Sequence, residues 1–330
     1  MIWAFLMGCD MMANEYGAPA DPDDHTEIVF EVPKGSRAGS LGPKLANLGV
    51  IEDADDFAMY IKLTKEGDCI KAGKHTLKPS MDASTIIETL CQSPKGKDIP
   101  LTIIEGWRIR EIDAYLTKEK LIKAGEYRDL ATQPNLFKAD FPLPQNTLEG
   151  YLYPETYMIN AGRFETKAFI QRQLDELGKV FYTPNAEAIE KSNRTFSDLI
   201  IVASMVEREE PKDINMPKVA GVIWKRLDND WFLGIDATSH YQLKDWNDTK
   251  GLNRQIADPN DRYNTRLKKG LPPTPIGSPS KTALEATVKP EETKFWFYLH
   301  DEQQNLHMSV NEKQHNQKKR KYRIGKYKRK

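Results

Sequence analysis

The 330-residue chain has no run of about 18 apolar residues, so none of it spans a bilayer as a helix and polytopic membrane proteins are excluded. Net charge is missing as well, because 48 Lys and Arg balance 48 Asp and Glu. Cysteine is scarce, at three residues, and the six histidines form no CxxC-like or His/Cys ligand set, so no metal ligand is expected. There is no GxSxG elbow, no GxxxxGK[ST] loop, no GxGxxG after a strand and no HExxH. These absences remove the commonest serine hydrolases, nucleotide binders and zinc proteases, and no cofactor is expected. Glycine and proline, 20 each, are ordinary, which removes collagen-like and low-complexity classes, and no fixed-period repeat is found. What is present is 39% hydrophobic residues with 6 Trp, 13 Tyr and 12 Phe, enough for a globular core. The length suggests about two domains.

Charge balance hides a skew. Residues 318–330 hold nine Lys or Arg and no acid. Residues 317–330 are therefore expected to form a basic, disordered tail. Attraction to anionic lipid is its stronger functional reading, because no zinc finger or aromatic-interleaved sheet motif accompanies it, and no nucleic-acid partner is expected. At the other end, Leu6, Met7, Gly8 and Cys9 have the shape of a lipoprotein processing site. No Lys or Arg precedes Cys9 and the apolar stretch is only about seven residues, shorter than most signal peptides. Either the start lies upstream or Cys9 is a chance cysteine; acylation of Cys9, with residues 1–25 as anchor and tether, is the expectation. Cys69 and Cys91 are free to pair in an oxidising compartment, closing a loop worth roughly 3 kcal/mol; two buried thiols are the alternative.

Residues 26–95 read as a small unit. Ile28, Phe30 and Val32 alternate as a strand, Leu41, Leu45 and Leu48 recur at helical spacing, residues 53–65 offer a second helix, and residues 75–77 a second strand. The strand, helix, helix, strand order resembles a LysM-like module, and a further helix over 82–90 leads into a linker at 93–97. From residue 99 the texture changes. Helices are expected over 108–124, 165–181, 198–210, from Pro217 through Leu227, and over 280–288, with a polar stretch at 233–262 and a hairpin at 295–310. Helices mixed with a few segregated strands indicate an α+β fold and not a doubly wound sheet.

The chemistry falls to carboxylates. The helix over 198–210 is apolar nearly all round for two turns and so is expected to be buried, yet it ends in Glu207, Glu209 and Glu210. At 3.6 residues per turn Glu207 follows Ala203 on one border of the apolar face, and Glu209 lies near the opposite border. Burial raises a glutamic acid's pKa, which suits a general acid for a glycosidic oxygen. The plainer alternative is a solvated helix end. Periodicity alone does not choose between Glu207 and Glu209.

The strings VASMVERE (202–209), LEGYLYPETY (148–157), DATSHY (236–241) and YNTRLKKGLPPTPIGSPSKTALEA (263–286) stand in one order along the chain. So do the opening IEGWRIREI (104–112) and the ending FYLHDEQQNLHMSV (297–310), followed by His315 and Asn316. Together they resemble the MltG/YceG family of endolytic murein transglycosylases over residues 26–316. The resemblance implies a LysM-like βααβ module followed by a larger α+β catalytic domain over 99–316. It implies an enzyme of the inner membrane, facing the periplasm or wall, that cuts nascent glycan strands internally and leaves a 1,6-anhydro-N-acetylmuramic acid end. Its partners would be peptidoglycan strands and wall-synthesis enzymes. Glu207 matches the family's catalytic acid. Glu149, Tyr153, Glu155, Asp236, Thr238, Tyr241, Tyr263, Asn264 and Thr265 fall on substrate-facing positions, each with a capping or turn-stabilising role as its alternative. Arg266 stands where the family often has an aromatic, and Gly234 where Gln or Ser is common, which touches subsite preference more than the reaction. A water-using muramidase at the same site and a non-catalytic glycan-binding scaffold are the rival functions.

Overall fold

The computed structural model describes residues 16–65, 67–92, 98–246 and 248–322. Cys9, the linker 93–97 and the last eight residues of the basic run lie outside the described residues. The chain forms two compact units, Met1–Leu101 with Met158–Phe164, and Thr102–Tyr157 with Glu165–Lys330. Among the described residues no helix is long and apolar enough to cross a membrane.

In the first unit, alternation places Phe30 and Val32 of β1 (Ile28–Val32) in the core. Helix α1 (Gly42–Asn47) follows, and Gly49, at φ 72°, turns the chain where a side chain would be strained. Asp53 caps α2 (Ala54–Thr64) by accepting hydrogen bonds from the N–H groups of Asp55 and Asp56. Strand β2 (Gly73–Leu77) returns antiparallel to β1, with Ile28 opposite Leu77 and Val32 opposite Gly73. Asp82 caps α3 (Ala83–Cys91), whose Ile86, Ile87 and Leu90 close one core with Phe30, Leu45, Phe57 and Leu77. The strand, helix, helix, strand order expected from the sequence is present.

Cys69 and Cys91 are joined by a disulfide, their Cα atoms 4.9 Å apart, which decides the alternative that spacing left open. The closed loop removes freedom from the unfolded chain. Replacing both by serine is expected to lower the stability of this unit by about 3 kcal/mol, read by denaturant titration in the presence and absence of reductant. Equal midpoints in all four conditions would refute a stabilising bridge.

Strand β3 (Asp98–Thr102), all but its last residue in the first unit, pairs with a later strand, and the second unit continues with α4 (Ile109–Lys118). This helix is shorter than the expected 108–124, because Lys120 adopts φ 59° just past its end. Helix α5 (Glu126–Ala131) precedes β4 (Thr156–Asn160), the partner of β3. The single helix expected over 165–181 is α6 (Thr166–Leu177) running into a π-turn, Gly178–Tyr182. After α7 (Ala186–Lys191) comes α8 (Phe196–Glu209), capped by the Thr195 hydroxyl and buried at nine positions from Phe196 to Val206. It packs against α9 (Met216–Asp228) and, from further along the chain, the helix that begins after Ser280.

The polar stretch 233–262 contains two short helices, α10 (Asp236–His240) and α11 (Thr249–Gln255). Then come α12 (Lys281–Val288), the hairpin of β5 (Phe297–His300) and β6 (Leu306–Ser309), and α13 (Glu312–Lys321). Helix α13 corrects the expectation of a disordered tail beginning at residue 317. Asn311 caps it by accepting from the Gln314 N–H, and Lys318 to Lys321 are good helix formers placed at the terminus where the helix dipole favours cations.

Two glycines set the approach of the loops around α8. Gly150 has φ 81°, and a Cβ there would lie 2.3 Å from Pro275, so the 148–153 segment packs on the proline-rich loop only because position 150 has no side chain. A Cβ on Gly277 would fall 2.4 Å from the Gly106 carbonyl oxygen. There the Gly106 N–H donates to Ser278 O at 2.7 Å and the Ser278 N–H donates to Trp107 O at 2.8 Å, joining the 104–108 turn to the proline-rich loop.

Candidate active site

The three acids that close α8 end in three different surroundings. The proline-rich loop is fixed to α8 by the Ile276 N–H, which donates to the Ser204 hydroxyl at 3.0 Å. That contact brings the next turn of the loop to Glu207, whose half-buried carboxylate accepts the Ser280 N–H at 2.9 Å through Oε2. Ser280 also caps α12, so Glu207 is held by the first turn of a rigid element. Glu209, on the other side of the helix, accepts from the Tyr298 hydroxyl at 2.9 Å, and burial raises its pKa. Glu210 is fully buried, with its carboxylate bonded to the Lys212 N–H and to His300 Nε2, both at 2.9 Å. Periodicity left Glu207 and Glu209 equivalent, and their partners now separate them: Glu209 and Glu210 are tied into β5, and Glu207 faces the proline-rich loop.

Between them, the Arg208 guanidinium lies over the Trp246 ring, 3.5 Å from its centroid. Arg108 approaches the same ring at 4.6 Å, and Glu111 accepts a hydrogen bond from Trp246 Nε1 at 3.2 Å. Glu105, at the turn before α4, has its pKa raised by burial and by the negative charge of Glu207. Sequence reasoning singled out neither Ser280 nor Trp246 nor Glu105; Ser280 and Glu105 fall within the family-like strings, and Trp246 lies in the polar stretch outside them.

The residues expected to face substrate divide into groups. Glu149, 3% exposed, accepts from the Ile109 N–H at 3.1 Å, at the start of α4, and from the Tyr241 hydroxyl at 3.0 Å. Tyr241 lies against Tyr263, ring centroids 4.9 Å apart, and the Tyr263 hydroxyl meets Thr274 Oγ1 at 2.8 Å in the proline-rich loop. Glu149, Tyr241 and Tyr263 are thus brought together. Asp236 is half-buried in an ion pair with Arg266. Thr238, Asn264 and Thr265 are buried and bonded within the protein. The Thr238 hydroxyl donates to Ile235 O, Thr265 Oγ1 accepts the Ile235 N–H, and the Asn264 amide donates to the carbonyls of Gln255, Ile256 and Asp258. Tyr153 is buried, and burial pushes its pKa up to about 12. Glu155 is exposed and accepts the N–H of Thr156.

Burial raises Glu149 to about 7, against the opposing pull of the Tyr241 hydroxyl and the Ile109 N–H. A carboxyl whose folded pKa lies above its unfolded value favours the folded state below the unfolded pKa and loses that contribution as pH rises through the folded one. Stability is therefore expected to fall by roughly 3 kcal/mol between pH 4.5 and 8 from this group. Glu149→Gln, whose amide can donate to Tyr241 and whose oxygen can accept from Ile109, should flatten that slope. Denaturant titrations of both forms across this range check it, and parallel slopes would refute it.

Among the described residues no three His, Cys, Asp or Glu side chains are grouped to hold a metal ion.

The fold has a solved counterpart. The 2.6 Å crystal structure of a yceG-like protein from Listeria monocytogenes matches with TM-score 0.59 at 23% identity, covering 88% of this chain and 99% of that one. The YceG-like family model matches residues 30–321, and this chain belongs to that family. An endolytic murein transglycosylase of Bacillus subtilis (strain 168) is 27% identical over 335 residues, covering 97% of this chain and 90% of the relative. One of Streptococcus pneumoniae (strain D39) is 26% identical over 317 residues, covering 86% of this chain and 56% of the relative, so the chain spans little more than half of the pneumococcal protein.

Proposed function

We propose that this chain is a peptidoglycan lytic transglycosylase that cuts the MurNAc–GlcNAc bond within glycan strands, with Glu207 as acid and then base. The observation that carries the reading is the half-buried Glu207 carboxylate, fixed by the Ser280 N–H at a helix end while the two neighbouring acids are tied to β5. Names of relatives in Bacillus and Streptococcus support the substrate class.

In the proposed reaction protonated Glu207 donates to the oxygen leaving C1 of MurNAc, and the C1–O bond breaks. The C6 hydroxyl of the same sugar bonds to C1 and gives its proton to the Glu207 carboxylate, which restores the acid. The nucleophile is already part of the substrate, so effective molarity replaces a positioned water, and one carboxylate suffices. Tyr241, Tyr263 and Asp236 are proposed to border the strand, with Glu149 holding Tyr241. Thr238, Asn264 and Thr265 would act by shaping the loops, and Tyr153 and Glu155 from the segment that follows Gly150. The βααβ unit is proposed as a LysM-like glycan holder, and the chain as an inner-membrane protein facing the periplasm beside wall-synthesis enzymes.

A second reading rests on Glu105, a second carboxylate within the electrostatic reach of Glu207. Two carboxylates are what a water-using muramidase employs. Mass spectrometry of fragments from uncrosslinked strands separates the two. Anhydro ends, lighter by one water, are expected; reducing ends would favour hydrolysis.

A further inference from the structure

The helix that carries Glu207 has a second, differently furnished flank. Beside Glu209 lies a cavity of about 440 Å³, walled by β5, by α13 and by the segment between α9 and α10. Adjoining it is a smaller one of about 340 Å³ beneath Trp246, and both are lined by Glu209 and Asp236. The larger cavity includes Trp231 and Phe232, 43% and 41% exposed, two large apolar rings open to solvent side by side. Trp231 is braced from behind by Trp296, ring centroids 4.8 Å apart, and meets Phe297 edge-on. Rigid exposed rings above a pocket with a few polar groups are the usual make-up of a site for an amphipathic ligand.

The polar groups are of both kinds. Glu209 and Asp236 are acceptors, and Lys319 and Asn316 of α13 supply donors at the wall. Each cavity also has a histidine with an unsatisfied ring nitrogen among the described residues, His315 Nδ1 in the larger and His240 Nε2 in the smaller. Buried nitrogens without partners are uncommon in folded proteins, and ring rotation would offer either to a ligand hydroxyl or amide. Burial and Lys319 hold His315 down at about 4, so it meets a ligand as the neutral ring.

A sugar ring presents an apolar C–H face and an equatorial belt of hydroxyls, with an N-acetyl amide in this polymer. The two cavities lie across the tip of α8 from Glu207, about one helix width away, a span that a few sugar units of one strand cover. We propose that the Trp231, Phe232 and Glu209 cavity is an extended subsite that grips the glycan strand away from the bond being cut, with sugar rings stacked on Trp231 and Phe232. This inference rests on the transglycosylase reading and adds to it the basis of a preference for long strands over short ones. A strand long enough to cross the helix tip gains both regions, and a short fragment gains one.

The test measures binding by calorimetry in the Glu207→Gln background, with long and short uncrosslinked strands as probes. Trp231→Ala and Phe232→Ala are each expected to weaken long strands about tenfold while changing short ones little. Trp231→Phe should restore part of the loss, because it keeps a ring. In the active enzyme the same alanine variants should raise KM for long strands and leave kcat in place. Both side chains are exposed, and circular dichroism and melting confirm that the variants fold. Unchanged affinity for long strands in both alanine variants overturns the subsite while leaving the activity reading untouched. If the Glu207→Gln parent binds no strand of any length, both fall.

Discussion

Glu207→Gln is expected to cut the rate of strand cleavage by about 10³-fold or more, with thermal unfolding little changed. The size follows from the role: one side chain delivers the proton to the leaving oxygen and then removes one from the attacking hydroxyl, and glutamine can do neither. Stability should survive because the carboxamide oxygen can still accept the Ser280 N–H that fixes the side chain. Glu210→Gln serves as the contrast. It weakens a buried bond to His300 and should lower stability before it touches turnover. Cleavage by Glu207→Gln at the rate of the unmodified protein would show that the acid lies elsewhere, and absence of cleavage by either form would favour the binding-scaffold alternative.

The largest effect on stability is expected from Arg108→Met. Arg108 is 1% exposed, and its Nε donates to Glu111 Oε1 at 2.8 Å. Its Nη1 donates to the carbonyls of Tyr241 and Leu243, at 2.9 and 2.8 Å, while the guanidinium stacks on Trp246. One cation thus ties the start of α4 to the segment after α10. Methionine fills much of the volume but leaves the Glu111 carboxylate without its cation, while Arg110 still donates to the Tyr241 and Leu243 carbonyls, so the loss of about 3–5 kcal/mol comes from breaking the buried ion pair. Lysine should rescue little, because a point charge cannot reproduce the planar fork. Urea titration measures it, and an unchanged midpoint would mean that the buried network contributes nothing net.

The parts of the fold that the sequence announces are those governed by short-range rules. Alternation at Ile28, Phe30 and Val32, the helices expected over 53–65, 82–90 and 280–288, and the apolar run of α8 each follow from local chemistry, and the structure shows the physical reason for the helix starts in the caps at Asp53, Asp82, Thr195 and Ser280. Helices α5, α7, α10 and α11 are five to seven residues long, too few turns for a periodic pattern to emerge. The basic end of α13 misleads because a charge run is the same sequence whether solvated as coil or as helix. In the site, the position of Glu207 at a helix border was readable from 3.6-residue spacing. Its distinction from Glu209 was not, since that depends on Ser280 and Tyr298, 73 and 89 residues further on. Thr238, Asn264 and Thr265 show the same limit. A polar residue in a loop reads alike whether its hydroxyl meets a ligand or, as in this fold, the main chain of a neighbouring turn.

The reaction assigned to Glu207 is tested most directly by a crystal structure of Glu207→Gln with an uncut strand bound. The scissile oxygen, between C1 of a MurNAc and C4 of the next GlcNAc, is expected about 3 Å from the side-chain amide at position 207, with the C6 hydroxyl of that MurNAc on the same side of the ring. A strand seated with its nearest glycosidic oxygen well beyond hydrogen-bond reach of position 207, and beside Glu105 or Glu209 instead, would contradict it.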